Sequence, residues 1–169
     1  MVIPVVARIT GEIDRLETAQ AAAETVLSSS TATPHISWWA RIGLGLIAVL
    51  RSGVRAAEEQ YGYLKMMTGV ISRAIANDRL LGLLAQTMGN LDQATIHFDD
   101  ALAFCRKAGY RPELAWTCCD YADTLSERDG PGDKEEAASL LDESLAISSE
   151  LGMRPLIERV LSQREILGA

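Results

Sequence analysis

The residues able to do chemistry fall into a few groups, and each must be weighed against the element that would carry it. Gly43-Leu44-Gly45-Leu46-Ile47-Ala48 fits the relaxed dinucleotide pattern G-x-G-x-x-A. That pattern cradles a pyrophosphate only when a strand precedes the glycines and a helix opens at them. Here the residues sit inside an apolar helical run, so close helix packing is the expected use. His35 and His97 are the only histidines. One falls in a loop and the other mid-helix beside Phe98, and no cysteine or carboxylate stands at ligand spacing from either. Cys118 and Cys119 are adjacent, are not spaced C-x-x-C and have no basic neighbour in sequence. Packing for one and groove lining for the other are expected, not redox chemistry. Residues 129–133, DGPGD, resemble a calcium loop only superficially, since Pro131 occupies the third position. Glu58-Glu59, Asp99-Asp100 and Glu135-Glu136 are carboxylate pairs on expected solvated helix faces or helix N-termini. With no P-loop, no G-x-S-x-G and no H-E-x-x-H, the chain reads as a non-enzyme with no cofactor and no metal.

The totals agree with that reading. The chain has 169 residues, enough for one domain with a real core. Hydrophobic residues make up 48% but aromatics only 5%, a composition of Ala and Leu that suits close-packed helices. A net charge of -7 argues against nucleic acid, whose affinity comes largely from phosphate neutralisation, and weakly against anionic membranes. Three cysteines, an odd number with a vicinal pair, argue against a disulfide framework and for a reducing compartment. The first ten residues lack the basic and apolar regions of a secretion signal. The longest apolar run, residues 42–50, is about half a membrane span. A cytoplasmic protein is expected.

The elements follow from periodicity and punctuation. Residues 4–28 read as one helix, or as two joined at Gly11, with Ile13, Leu16, Ala19, Ala23, Val26 and Leu27 on one face. Residues 28–35 are a loop, and Ser37 is the expected cap of the next helix. Ser52-Gly53 and Thr68-Gly69 break the chain again. A helix is expected over about 70–88, with a possible restart at Asp78. After Gly89-Asn90 another follows, with Asn90 and Gln93 as a capping box. Pro112 opens a helix to about Arg128, Asp133 with Glu136 forms a second capping pattern, and Pro155 opens the last helix. No stretch alternates with period two, so no sheet is expected.

The segment 78–109 looks like two helices pressed together, and the rest of the chain repeats it imperfectly. Gly45, Gly82 and Ala122 correspond in the first helix of each pair. Ala57, Ala94 and Ala137 correspond in the second, followed by Tyr61, Phe98 and Leu141, then Leu64, Ala101 and Ser144. This order of small and large positions resembles the tetratricopeptide repeat, through Leu81-Gly82 and Ala94-x3-Phe98. The aromatic expected after the glycine is replaced by Ala48, Ala85 and Leu125, which points to the divergent, extended form. From Asp78 onward, DRLLGLLAQ, ALAFCRKAGYRPELAW, DYADTL, LLDESLAI and ELGMRPLIERVL resemble the C-terminal repeat region of large bacterial signalling ATPases. Those proteins couple such repeats to nucleotide-cyclase or helix-turn-helix domains.

The resemblance implies an all-α, right-handed superhelix of antiparallel hairpins. A single domain over 1–169 would hold a partial pair at 1–30, pairs at about 36–67, 70–108 and 112–151, and a capping helix at about 155–167. It also implies that the first helix of each pair lines a concave groove. In that register Trp39 and Trp116 take the second position, Ile42, Arg79 and Cys119 the fifth, and Leu46, Leu83 and Asp123 the ninth. Gln86 and Ser126 take the twelfth. Two readings of the tryptophans stand open, as anchors for a partner helix and as packing within the solenoid. The function implied is protein–protein interaction in a signalling or transcription regulator, with partners that are proteins, peptides or other domains of a parent protein. The alternative is a small effector held in the groove. A helix from 37 to 50, apolar nearly all round, needs cover on all sides. That cover is expected from a preceding domain or from a second copy, as a homo-oligomer through the N-terminal helices.

Overall fold

Left-handed residues punctuate the chain at Gly11, Ser52, Gly89, Gly109 and Gly152, each with a positive φ. Four of these turns share one closing bond, in which the amide just beyond reaches back five residues: Gly53 to Ala48, Asn90 to Ala85, Tyr110 to Cys105 and Met153 to Ser148, all at 2.8 to 3.0 Å. This is the Schellman closure, which satisfies the last helical carbonyls and reverses the chain in few residues. The computed structural model describes residues 2–67 and 75–168. Among them the helices are α1 Val2–Thr10, α2 Leu16–Ser28, α3 Pro34–Leu50, α4 Val54–Leu64 and α5 Asn77–Thr87. They continue as α6 Leu91–Ala108, α7 Arg111–Arg128, α8 Asp133–Glu150 and α9 Arg154–Leu167. The described residues form an all-α solenoid of helical hairpins. The expected break at Thr68-Gly69 and the helix start near Val70 lie outside the described residues.

Three expected caps are corrected. The third helix starts at Pro34, with the Thr33 hydroxyl accepting from the Ile36 amide at 3.4 Å, rather than after Ser37. Asn90 makes no side-chain cap, and Gln93 turns to His97 instead. The Asp133 carboxylate is inside the first turn of α8, not at its cap. It is taken by the Arg128 guanidinium at 2.6 and 2.8 Å and by the Gly130 amide at 2.8 Å.

The repeat register shows in the packing. Ala57, Ala94 and Ala137 are completely buried, as are Leu64, Ala101 and Ser144. Ser144 meets its polar need by donating to the Ala115 carbonyl at 2.8 Å. Phe98 fills the space between hairpins, fully buried and stacked on Tyr121 with ring centroids 5.4 Å apart. Among the described residues, odd-numbered helices touch the next odd-numbered helix, while the backbones of even-numbered ones come close only to the odd helices beside them. The solenoid therefore has an inner row, α1, α3, α5, α7 and α9, and an outer row. α1 also reaches α9, so the inner row curls until its ends meet.

Helix α3 is indeed buried on nearly all sides, with Ile42, Leu46 and Ile47 at most 4% exposed. The cover comes from α1, α2, α4 and α5 of the same chain. Residues 2–10 form α1 and supply part of the cover that the sequence alone assigned to a neighbour.

Gly45 and Gly82 occupy one repeat position but are not equivalent. A Cβ on Gly82 would lie 2.8 to 3.0 Å from the Phe98 ring, whereas one on Gly45 would meet Leu80 and Leu64 at ordinary contact distances of 3.5 to 3.6 Å. Gly82→Ala should therefore cost about 1–3 kcal/mol through overpacking. Gly45→Ala should be neutral or gain up to about 1 kcal/mol from helix propensity. Chemical denaturation of both variants checks the contrast, and equal effects would remove the close approach at Phe98 as its cause.

Candidate functional site

Glu113, Trp116, Asp120 and Asp123 are spaced three, four and three residues apart along α7. They share one face of the helix, and that face meets the inner row. Three arginines from three other helices converge on it. Arg79 of α5 donates through Nη1 to Glu113 at 2.9 Å and through Nε to Asp120 at 2.8 Å. Arg159 of α9 reaches Asp120 at 3.1 Å and Asp123 at 2.8 Å. Arg8 of α1 reaches Asp120 at 2.5 Å. The Ala76 amide donates to Glu113 at 2.7 Å, and Gln163 of α9 donates to Asp123.

Asp120 is completely buried and Arg79 is 4% exposed. Burial alone would raise the Asp120 carboxyl. The guanidinium groups of Arg8, Arg79 and Arg159 outweigh it and hold the carboxylate well below its usual range. Burial would likewise lower Arg79, but Glu113 and Asp120 raise it above its ordinary value. Arg8 goes the other way: burial lowers it, and Asp120 offsets that only in part while Arg159 and Arg79 repel it. Burial raises the Glu113 and Asp123 carboxyls despite their arginine partners, so the depressed Asp120 carboxylate is the centre of an electrostatic lock between helices.

The groove positions read from the sequence are divided by the structure. Ile42, Leu46, Leu83, Arg79 and Cys119 are buried in the inner row. Leu46, Arg79 and half-buried Trp116 surround a cavity of about 30 Å³ with Val5, Arg8 and Ile9 of α1. The Arg79 guanidinium lies 5.6 Å from the Trp116 ring centroid. Trp39, also half-buried, lines a separate open apolar hollow with Ile3, Ala19 and Ala23. Beyond the lock, Asp123 and Ser126 line a shallow depression with Gln163 and Ile166, and Gln86 donates to Glu127 at 2.9 Å.

Sequence reasoning missed Asp120, Glu113, Arg8 and Arg159. The available signal was the spacing of acids on α7 opposite arginines at inner positions of other helices. It also found no carboxylate near His97, which the structure corrects. Asp100 lies one turn on and Asp78 arrives from α5, bringing the three sets of ligand-type atoms within 4.8 Å of one another. Nε2 of His97 is already engaged by the Tyr61 hydroxyl at 2.8 Å. Cys105, Cys118 and Cys119 are all buried. Burial pushes the Cys105 thiol up to about 11 and Cys119 to about 12, and raises Cys118 as well. Cys119 donates to Gln163 at 3.1 Å.

Residues 72–150, just under half of the chain, match the family model described as tetratricopeptide repeat. The match spans α5 to α8, including the acidic face of α7. No curated protein and no solved structure matches the chain significantly. No helix among the described residues is long and apolar enough to cross a membrane.

Asp120→Asn should cost about 3–5 kcal/mol at pH 7, because it leaves buried guanidinium groups uncompensated. The folded Asp120 carboxyl is depressed, so its stabilisation is present above its unfolded value near 3.8 and is lost as pH falls below it. The stability gap between wild type and Asp120→Asn, followed by urea unfolding at several pH values, should therefore hold from pH 7 to about 5 and shrink below about 4. A gap that does not change with acidification would contradict an ionised, cation-held Asp120.

Proposed function

We propose that this chain is a non-catalytic protein–protein interaction scaffold of tetratricopeptide type that presents its inner row to a partner. Repeats of this family generally serve as such scaffolds, and the matched span covers the helices that carry the acidic face. The single observation that carries the reading is the convergence of inner-row side chains from four helices on one face at Asp120. Beside the lock, half-buried Trp116 with Gln86, part-exposed Asp123 and exposed Ser126 suits a polypeptide carrying basic and apolar side chains. A metabolite fits less well at the lock itself, where the cavity beside Trp116 measures about 30 Å³, far below the roughly 300–1,000 Å³ of a small-molecule site; the hollows at Trp39, about 480 Å³, and at Asp123 and Ser126, about 280 Å³, lie apart from it.

The wider setting is a cytoplasmic bacterial signalling or transcription-regulating ATPase, in whose C-terminal region the repeats serve as a regulatory interaction surface. The support for this setting is the run of motifs from Asp78 onward. Val2, Val6, Ile9 and Ile13 are 39% to 71% exposed. Of these, Val2 and Val6 of α1 and Ile13 just beyond it do not line the cavity beside Trp116, and they are the surface through which copies of the chain would self-associate.

A photo-crosslinking amino acid placed at Gln86 or Ser126 on the inner row, and at exposed Ile96 or Glu135 on the outer row, tests the reading in cells that express the protein. Discrete protein adducts are expected from the inner positions alone. Adducts only from the outer positions, or none from any, would reject the inner row as the interaction surface.

A further inference from the structure

Helix α1 lies in the inner row as a ligand lies in a groove. Pro4 and Ala7 are its buried residues, and Ala7 packs with Leu16 and Ala19 of α2 and Ile47 of α3. Val5, Arg8 and Ile9 face Leu46, Arg79 and Trp116 around the small cavity. Its charged contact is with Asp120, 112 residues along the chain. At nine residues it is shorter than the roughly 12–15 needed for even marginal helicity in isolation. Its helical form therefore depends on its packing against α2, α3 and the inner row.

Among the described residues, three acids of α7, Glu113, Asp120 and Asp123, are faced by two arginines from helices other than α1, Arg79 and Arg159. Arg8 supplies the third positive charge. Its fit is the poorest of the three. Arg79 binds two carboxylates through two nitrogens. Arg8 binds Asp120 through Nη2 alone, and its Nε is buried with no hydrogen-bond partner. An occupant that leaves a buried donor unmet gives up binding free energy, and a better one can replace it. Without Arg8, Asp120 still has Arg79 and Arg159 as partners.

We propose that the acidic seat on α7 is the receptor for an arginine-bearing apolar helix of a protein partner, and that α1 is its built-in competitor. This rests on the scaffold reading above and adds the chemistry of the partner. The partner helix carries an arginine with a branched aliphatic residue three positions before it and another directly after, as Val5, Arg8 and Ile9 do. Lysine substitutes poorly, because it is a compact point charge without the guanidinium's forked donors. Partner binding and release of α1 are then one exchange. The free affinity of the seat is masked by the fraction of molecules in which α1 is docked.

The test uses the full chain and a fluorescent peptide of the α1 sequence, VIPVVARITGEI, followed by anisotropy. Arg8→Ala, which loses its own anchor, should bind the peptide at least about tenfold more tightly than wild type, whose seat is occupied. A peptide with alanine in place of its arginine should lose at least about tenfold in affinity for the same variant. Val5→Ala keeps Arg8 and weakens only the apolar half of the seat, so it should also gain peptide binding if Arg8→Ala has no cooperative melt. Equal binding to wild type and both variants, or no loss with the alanine peptide, overturns the proposal. So does a dimer of Arg8→Ala that takes up no peptide, which would mean that α1 exchanges between copies. The inner-row adducts at Gln86 and Ser126 do not depend on α1, so either outcome here leaves the scaffold reading separately testable.

Discussion

An ionised carboxylate cut off from water must be surrounded by cations, and Asp120 sets that requirement at the centre of this molecule. It has no exposed surface and accepts from arginines on three helices. An isolated buried charge of this kind would cost several kcal/mol. The inner helices must therefore arrive together. The constraint ties α1, α5 and α9 to α7 by geometry that ordinary apolar packing does not specify. The outer row makes no comparable demand. Its helices are held by alanine, leucine and Phe98 against the inner ones, with exposed ion pairs such as Arg106 with Glu143 between outer helices and Arg111 of α7 with Glu150 of α8. Exposed pairs of that kind add little stability.

Much of the fold was legible because its signals are local. Ala57, Ala94 and Ala137 recur at one depth of the outer helices and are all completely buried. A helix pair can approach closely only over such small residues. Gly89 and Gly109 mark their turns because a left-handed residue is needed where the closing bond forms. The caps were less legible. The Schellman closures already organise the turn before α6, so Asn90 is not needed as a cap. Asp133 has a stronger partner in Arg128, and nothing in the spacing from Asp133 to Glu136 betrays it.

The lock was not legible for a different reason. Its charges come from residues 8, 79, 113, 120, 123 and 159, and no window of the sequence contains both signs in their final arrangement. Reading the inner face by repeat register did reach Arg79, Trp116, Cys119 and Asp123. It could not show that Arg79 faces α7 or that Cys119 bonds Gln163. Nor could it show that α1 would take the seat, because residues 2–10 look in sequence like an incomplete helix pair. The tryptophans illustrate the same limit. They share a register position, yet Trp116 borders the lock and Trp39 borders a separate apolar hollow.

The account stands on the statement that α1 is held to the rest of the solenoid through Arg8 and Asp120. A double-mutant cycle measures that link directly, using the unfolding free energies of wild type, Arg8→Gln, Asp120→Asn and the double variant. The account predicts a favourable coupling of about 1–3 kcal/mol, as expected for residues that share one network. Additivity within about 0.3–0.5 kcal/mol, with α1 amides exchanging as fast in wild type as in Arg8→Gln, would contradict it.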